Sequence, residues 1–370
     1  MISRHRIKVI AAATTVIVSL VAVGAYARCT GGSCPPPVNF PCTPTSFNPT
    51  NPAASGYQLV QSDNFASVGT STIDMANTGN PGFHWYLRKP FGYTTEPSTD
   101  FTTDANSLIM TASVNTAGIN LTTAYPNGSA ANGLSWVGNA FGSGGYFEIK
   151  MAFDGPTVQA CAATCGNPSF WGMGVSHWAN VGGDQWPGQA AGFTHYIEDD
   201  FFEWDTSGFA INKWGSGIWD WYGTYNVTCS GFCGILNDGR TGANGYNNIF
   251  LGSNSGGAIT WNNSTYHTLG NLWIAGNAAN SFAGSRTIYF DGLLASSNGA
   301  PGNPTVNWTT TAMPAPSGTG GNGGVGSTPQ LWSVHDLDSI VVNLGGPIGV
   351  PFHIAYVNVW QIPGCGTVAH

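Results

Sequence analysis

The chain of 370 residues is poor in charge, because Asp, Glu, Lys and Arg together make up only 8% of it. An average globular chain has roughly a quarter. Only ten residues are Lys or Arg, and the formal net charge is −8, which excludes a basic surface for nucleic acid. Beyond the N-terminus the sequence also lacks long apolar runs and helical stripes. We therefore expect no further membrane-spanning segment and few helices.

The N-terminus has the three parts of a secretory signal peptide. These are basic residues at Arg4, Arg6 and Lys8, an apolar run over Val9–Val23, and a small-residue cleavage site at Ala25–Ala27. The apolar run is shorter than the ~20 residues that span a bilayer, which favours cleavage over a retained anchor. We expect residues 1–27 to be removed and the protein to be secreted, extracellular or periplasmic, with no membrane association afterwards.

The cysteine count is even, which in an exported chain predicts disulfides. The eight are Cys29, Cys34, Cys42, Cys161, Cys165, Cys229, Cys233 and Cys365. The two C-x3-C pairs, at 161/165 and 229/233, fit either local bridges or cross-links between two loops. No histidine lies near them, so a zinc site is disfavoured.

The rest of the chain divides by composition. Residues 28–56 are rich in Pro, Thr, Asn and Cys and form a linker or a stapled extension. Residues 57–363 read as short strands rich in β-branched and aromatic residues, and 364–370 form a C-terminal tail. We predict one all-β domain, a two-sheet antiparallel β-sandwich (jelly roll) with a concave substrate cleft, and we expect it to be a monomer.

Five acidic residues lie within eight positions, in a segment that also contains Tyr, Ile, two Phe and a Trp. They are Glu198, Asp199, Asp200, Glu203 and Asp205. A solvated charged face is the ordinary explanation of such a run, but it fits poorly with so many large apolar neighbours. Carboxylates among aromatic residues must be paired, be protonated or take part in chemistry.

The spacing of three of these carboxylates suggests a specific geometry. In a strand, Glu198 and Asp200 share a face, whereas Glu203, five residues after Glu198, faces the other way. One extra residue, a β-bulge, would return Glu203 to the face of the other two. Two Glu and one Asp on one face suit retaining glycoside hydrolysis, in which one carboxylate attacks the anomeric carbon and a carboxylic acid protonates the leaving oxygen.

Glu198-x-Asp200-x-x-Glu203 resembles the bulged E-x-D-x-x-E signature of glycoside hydrolase family 16, found in laminarinases, agarases and carrageenases. Further segments resemble family landmarks in the family's order: Ser169–Trp171, Trp186–Pro187, Tyr266–Trp273, Ile288–Gly292, Leu337–Gly346 and Ala355–Gln361. The residue between Glu198 and Asp200 is usually apolar in the family, and here it is Asp199. Phe201 and Phe202 are bulkier than the family's usual aliphatics.

The resemblance implies a concanavalin-like jelly roll and a covalent glycosyl-enzyme intermediate. It implies that Glu198 is the nucleophile, Asp200 the assisting carboxylate and Glu203 the acid/base. Four tryptophans are candidates for stacking on sugar rings: Trp171, Trp178, Trp186 and Trp219. No cofactor is expected; the family often carries a structural calcium, but no motif here is specific for one.

Two alternatives stay open. A lectin-like protein could use the same sandwich without turnover, although it would not need two Glu on a bulge. A transglycosylase would share every catalytic residue and differ only in its acceptor subsites. The expected partner is a polysaccharide, and β-1,3-glucan is favoured over agar-type galactans by analogy.

Overall fold

The computed structural model describes residues 42, 44, 46–89, 94–113, 119–126, 136–161, 164–175, 193–204, 213–224, 246–251, 261–276, 280–281, 283–295, 304–309, 336 and 338–369. All of them lie in one compact unit, Pro37–His370. Within the described ranges no helix is long and apolar enough to cross a membrane. The signal peptide predicted for residues 1–27 lies outside them.

Strands dominate this unit. In chain order they are β1 (Gln58–Asn64), β2 (Ile73–Asp74), β3 (Trp85–Tyr86), β4 (Phe101–Thr103), β5 (Leu108–Met110), β6 (Ile119–Thr122), β7 (Ala124–Pro126), β8 (Trp136–Gly138), β9 (Ala140–Gly142), β10 (Gly145–Phe153), β11 (Ser169–Gly174), β12 (Phe193–Glu203), β13 (Lys213–Thr224), β14 (Tyr246–Leu251), β15 (His267–Ile274), β16 (Ala283–Phe290), β17 (Leu293–Leu294), β18 (Thr305–Thr309), β19 (Ser339–Gly346), β20 (Phe352–Gln361) and β21 (Thr367–Ala369). The helices are short: α1 (Phe65–Val68), α2 (Gly155–Cys161) and two 3₁₀ turns at Pro52–Ser55 and Ser98–Asp100.

The strands form two large sheets. Sheet A has the order β17-β16-β15-β10-β20-β5-β4, with β1 paired to β20 and β18 to β16. Sheet B has the order β14-β13-β12-β11-β19-β6-β3-β2, with β9 joining β19 and β21. Nearly all pairings are antiparallel, and β2 with β3 is a parallel exception. The predicted all-β, two-sheet antiparallel sandwich is thus confirmed.

The core lies between the inner faces of the two sheets. It takes alternate residues of each strand, as the period of two requires. Sheet A contributes Phe147, Ile149 and Met151 of β10, and sheet B contributes Ile340 and Val342 of β19, all fully buried. Their neighbours in the chain therefore face outward, and this alternation decides which side chains of each strand are available to a ligand.

The segment before β1 packs on the outer face of sheet A. Phe47 contacts Tyr57, Tyr146 and Tyr289, with ring centroids 5.3, 4.8 and 5.5 Å away. A disulfide joins Cys42 to Cys365, 323 positions further along the chain. These contacts attach the segment just before β1 to sheet A and to the C-terminal end of the chain.

The second described disulfide, Cys161–Cys165, closes a local loop after α2. Of the two arrangements left open for the C-x3-C pairs, 161/165 therefore takes the local one. The remaining four cysteines, at positions 29, 34, 229 and 233, lie outside the described residues.

Candidate active site

Strand β12 places its carboxylates on two opposite faces. Phe201, Phe202 and Trp204 lie in the core between the sheets, and Asp199 also points inward, fully buried. By alternation, Glu198 and Asp200 face outward from the sandwich. Asp200 is 8% exposed, and Glu198 is partly exposed.

A β-bulge of one residue lies at Phe201, where the sequence spacing required it. On one side, Asp200 pairs with Gly217 and Glu203 with Gly215, so three residues of β12 advance against two of β13. On the other side, Phe202 pairs with Phe170 and Asp200 with Trp171, which leaves Phe201 without a cross-strand partner and places the bulge there. Two successive residues, Phe201 and Phe202, thus face the core.

The bulge changes the side on which Glu203 emerges. Because Phe201 and Phe202 both point inward, Glu203 returns to the outer face with Glu198 and Asp200. We call this outer face of sheet B the carboxylate face. Five steps along β12, from Glu198 to Glu203, match only four along β13, from Trp219 to Gly215.

Aromatic contacts of Phe201 and Phe202 hold the bulge in the core. The ring of Phe201 stacks on Phe147 of sheet A at 5.4 Å and meets Phe170 edge-on at 5.0 Å. Phe202 packs against Phe153 and Trp214 at 6.1 and 5.3 Å. The rings of these two phenylalanines therefore supply the packing that turns both bulge residues inward.

Cross-strand pairing arranges the carboxylate face in rows that run across the strands. The first row is Gly215, Glu203, Ser169, Gly345 and Asn120; the second is Gly217, Asp200, Trp171, Asn343 and Thr122; the third is Trp219, Glu198, Met173 and Val341. Each carboxylate therefore has small or apolar cross-strand neighbours, and no Lys or Arg occurs in these rows.

Side chains project less from the first row than from the others, because two of its residues are glycines. A Cβ on Gly345 would lie 2.2 Å from Ser169 Oγ, so only glycine leaves room for that hydroxyl. Beside it, Asn167 Nδ2 donates to Glu203 Oε1 at 3.5 Å. The row ends at Asn120, whose backbone N and Nδ2 donate to Glu96 Oε1 at 3.1 and 3.3 Å. Burial raises the pKa of Glu96, although the Asn120 donors oppose this.

The hairpin of β7 and β8 packs beside the second and third rows. Ala124 of β7 joins a cluster with Trp171, Met173 and Val341, and Trp136 of β8 packs against it. Trp171 itself is 7% exposed. The sequence drew attention to Trp171 but not to Trp136, because strands as short as β7 and β8 give too little alternation to show which way a side chain points.

Of the other three predicted tryptophans, only the backbone of Trp219 lies among the described residues. Trp219 is the cross-strand partner of Glu198 by backbone register, and its side chain lies outside the described residues, as do Trp178 and Trp186. His267 lies at the start of β15 on sheet A. Its Nδ1 is 2.9 Å from Asp291 Oδ2, and its ring stacks on Phe290, so its place is structural.

In the part of the chain that is described, no group of three His, Cys, Asp or Glu side chains could hold a metal ion. Glu198, Asp200 and Glu203 share the carboxylate face, and a pair of carboxyl groups can perform acid–base chemistry when one is protonated and the other ionised.

No family model matches the chain, and no curated protein matches it. Three solved structures illustrate its similarity to known folds. An endo-acting O-glycanase of the human gut microbiota is 12% identical over 84% of this chain and 92% of its own, with a TM-score of 0.38. The Humicola insolens endocellulase EGI is 14% identical over 72% and 78%, at 0.35. Peanut lectin is 10% identical over 84% and 98%, at 0.29. At these TM-scores the similarities assign no function.

Proposed function

We propose that the protein is an exported, retaining endo-β-glycanase. In this proposal Glu198 attacks the anomeric carbon, Asp200 hydrogen-bonds and tunes the nucleophile, and Glu203 gives its proton to the leaving oxygen and later activates water. The observation that carries the proposal is the bulge at Phe201, because it brings Glu203 to the face that already holds the other two carboxylates.

The geometry suits a double displacement. Retaining enzymes hold their two carboxyl groups roughly 5–5.5 Å apart. Four steps along β13 correspond to about 13 Å of backbone at ~3.3 Å per residue, so the two Glu side chains must lean toward each other across the second row. Asp200 lies between them in that row, where a hydrogen bond to the nucleophile is within reach.

The substrate class follows from the surroundings. The three rows contain carboxylates together with aromatic, aliphatic and uncharged polar residues and glycine, and no Lys or Arg, which suits a neutral polysaccharide better than a sulfated one. We propose β-1,3-glucan as the first substrate to test, with agar-type galactans next. The two described disulfides, Cys42–Cys365 and Cys161–Cys165, are consistent with an oxidising, extracytoplasmic location.

The test is a reducing-sugar assay on laminarin, lichenan, agarose and carrageenans with the wild type and Glu198→Gln. The variant should lose about 10³-fold or more of kcat on the best substrate while it unfolds at the same temperature. Glu148→Gln is a matched control, because Glu148 lies on the outer face of sheet A and should leave kcat unchanged. Wild-type turnover by Glu198→Gln would contradict the assignment.

The stereochemistry of the first product tests the retaining mechanism separately. Proton NMR recorded within the first minutes should show the β-anomer from a β-linked substrate. An α-anomer would contradict retention. Binding of oligosaccharides without any turnover by the wild type would favour the lectin-like alternative, and longer products from an added acceptor would favour a transglycosylase.

A further inference from the structure

A group of polar side chains lies buried between the sheets, directly beneath the carboxylate face. It comprises Asp199 and Ser216 of sheet B and Asn271 and Arg286 of sheet A, none of them more than 2% exposed. Arg286 lies on the same face of β16 as Ile288 and Phe290, which are core residues. We call these four residues the inter-sheet polar cluster.

The contacts of the cluster converge on Arg286. Its Nε lies 2.9 Å from Asp199 Oδ1 and 3.0 Å from Asn271 Oδ1. Asn271 Nδ2 in turn donates to Asp199 Oδ2 at 3.4 Å. The guanidinium of Arg286 therefore reaches across the interior from sheet A and pairs with the one β12 carboxylate that points inward.

Arg286 also binds the backbone of β12. Its NH2 group donates to the carbonyl oxygen of Asp200 at 2.7 Å, and Ser216 Oγ donates to the same oxygen at 2.7 Å. Arg286 NH2 also contacts Ser216 Oγ. The Asp200 carbonyl precedes Phe201, the residue that the bulge leaves without a partner on β11.

Stability alone does not explain this arrangement. A buried ion pair costs much of its Coulomb energy in desolvation, and apolar residues of similar volume are often as stable or more so. The planar guanidinium has several donors in a fixed geometry, so it can bind a carboxylate and a backbone carbonyl together. What the pair adds is a defined position for that carbonyl.

We propose that Arg286, held by Asp199, is a positioning residue that fixes the bulge and thereby the interval between Glu198 and Glu203. The inference rests on the proposed function for its catalytic consequence. It also explains why an acidic residue occupies the position between Glu198 and Asp200: the carboxylate of Asp199 binds the guanidinium that holds the neighbouring carbonyl. A misplacement of reacting groups by about 1 Å can cost on the order of 10²-fold in rate.

The experiment compares the wild type with Asp199→Leu/Arg286→Met, which removes both charges together, and with Arg286→Lys, which keeps the charge but not the planar donors. We expect kcat of the double variant to fall about 10- to 100-fold, with KM within about twofold. Arg286→Lys should lie between the double variant and the wild type. Thr287→Val, next in β16 but facing outward, is the matched control and should keep wild-type kcat.

Backbone hydrogen exchange gives a readout that does not depend on activity. Peptides covering 198–204 should exchange at least about tenfold faster in the double variant, whereas peptides covering β10, residues 145–153, should not change. If the double variant folds poorly, the same comparison is made with Arg286→Lys.

The outcomes separate the two proposals. Wild-type kcat in a folded double variant, or unchanged exchange over 198–204, overturns the positioning role of Arg286. If the wild type hydrolyses no glycan, the proposed function fails, and exchange alone then decides whether Arg286 fixes the bulge.

Discussion

Glu198 and Asp199 are neighbours in the chain and have opposite environments. Glu198 lies on the outer face of sheet B, partly exposed, whereas Asp199 is fully buried against Arg286. Composition predicted that these carboxylates would be paired, protonated or chemically active, but it could not divide the explanations among them. Which explanation applies to each carboxylate depends on the face of β12 from which its side chain projects.

Another acidic residue, Glu148, lies on the outer face of sheet A and is 9% exposed. Burial raises its pKa from 4.5 to about 7, although a hydrogen bond from Asn358 opposes the shift. In the folded protein this carboxyl therefore prefers to be protonated. Its ionisation costs stability, and the cost appears as pH rises from about 4.5 and is complete above about 7.

We therefore predict that Glu148→Gln stabilises the protein at pH 8 and has little effect at pH 4. The shift is equivalent to an upper value of about 3 kcal/mol. Chemical unfolding curves at pH 4, 6 and 8 would measure it, with Glu198→Gln as a control for the same substitution elsewhere. If Glu148→Gln and the wild type differed in free energy of unfolding by the same amount at all three pH values, the raised pKa of Glu148 would be contradicted.

At the scale of the secondary-structure element, the bulge in β12 could be predicted from the sequence, but the contacts that hold it in place could not. The i, i+2, i+5 spacing of Glu198, Asp200 and Glu203 requires one extra residue if the three are to share a face. Nothing in the spacing indicates that Arg286, some 80 positions later, contacts the bulge. That contact depends on how the two sheets are superposed, which the local sequence pattern does not encode. The one indication in the sequence was that Arg286 shares a strand face with the apolar residues Ile288 and Phe290.

The glycines of β13 give a prediction at the same scale. Gly217 and Gly215 are the cross-strand partners of Asp200 and Glu203 and have no side chain on the carboxylate face. Gly217→Val should lower kcat/KM at least about tenfold, because it adds bulk beside Asp200 while valine favours the strand. Steady-state kinetics would measure it, with the exposed Thr102→Val on β4 as control. Unchanged kcat/KM would mean that substrate does not approach this row.

For the whole molecule, the all-β sandwich followed from the short runs rich in β-branched and aromatic residues and from the lack of helical stripes. The order of strands in each sheet did not, because it depends on pairing between distant segments such as β11 with β19. Likewise, the even cysteine count predicted disulfides, and only the structure joined Cys42 to Cys365.

This long-range disulfide should matter more for stability than the local one. Closing a loop of more than 300 residues restricts the unfolded chain far more than closing a five-residue loop. We predict that Cys42→Ser/Cys365→Ser lowers the free energy of unfolding by about 2–5 kcal/mol. Cys161→Ser/Cys165→Ser should have the smaller effect. Thermal unfolding of both double variants would compare them, and the reverse order would contradict the entropic argument.

The same bond has a consequence for the response to proteolysis. With Cys42 and Cys365 joined, their Cα atoms 5.5 Å apart, the intervening chain is a covalent ring. A protease that cuts one exposed connection would open the ring without releasing a fragment, and both pieces would stay tethered beside their partners in the sheets. Damage of this kind would be visible only on a reducing gel, while the nicked molecule kept its shape in solution.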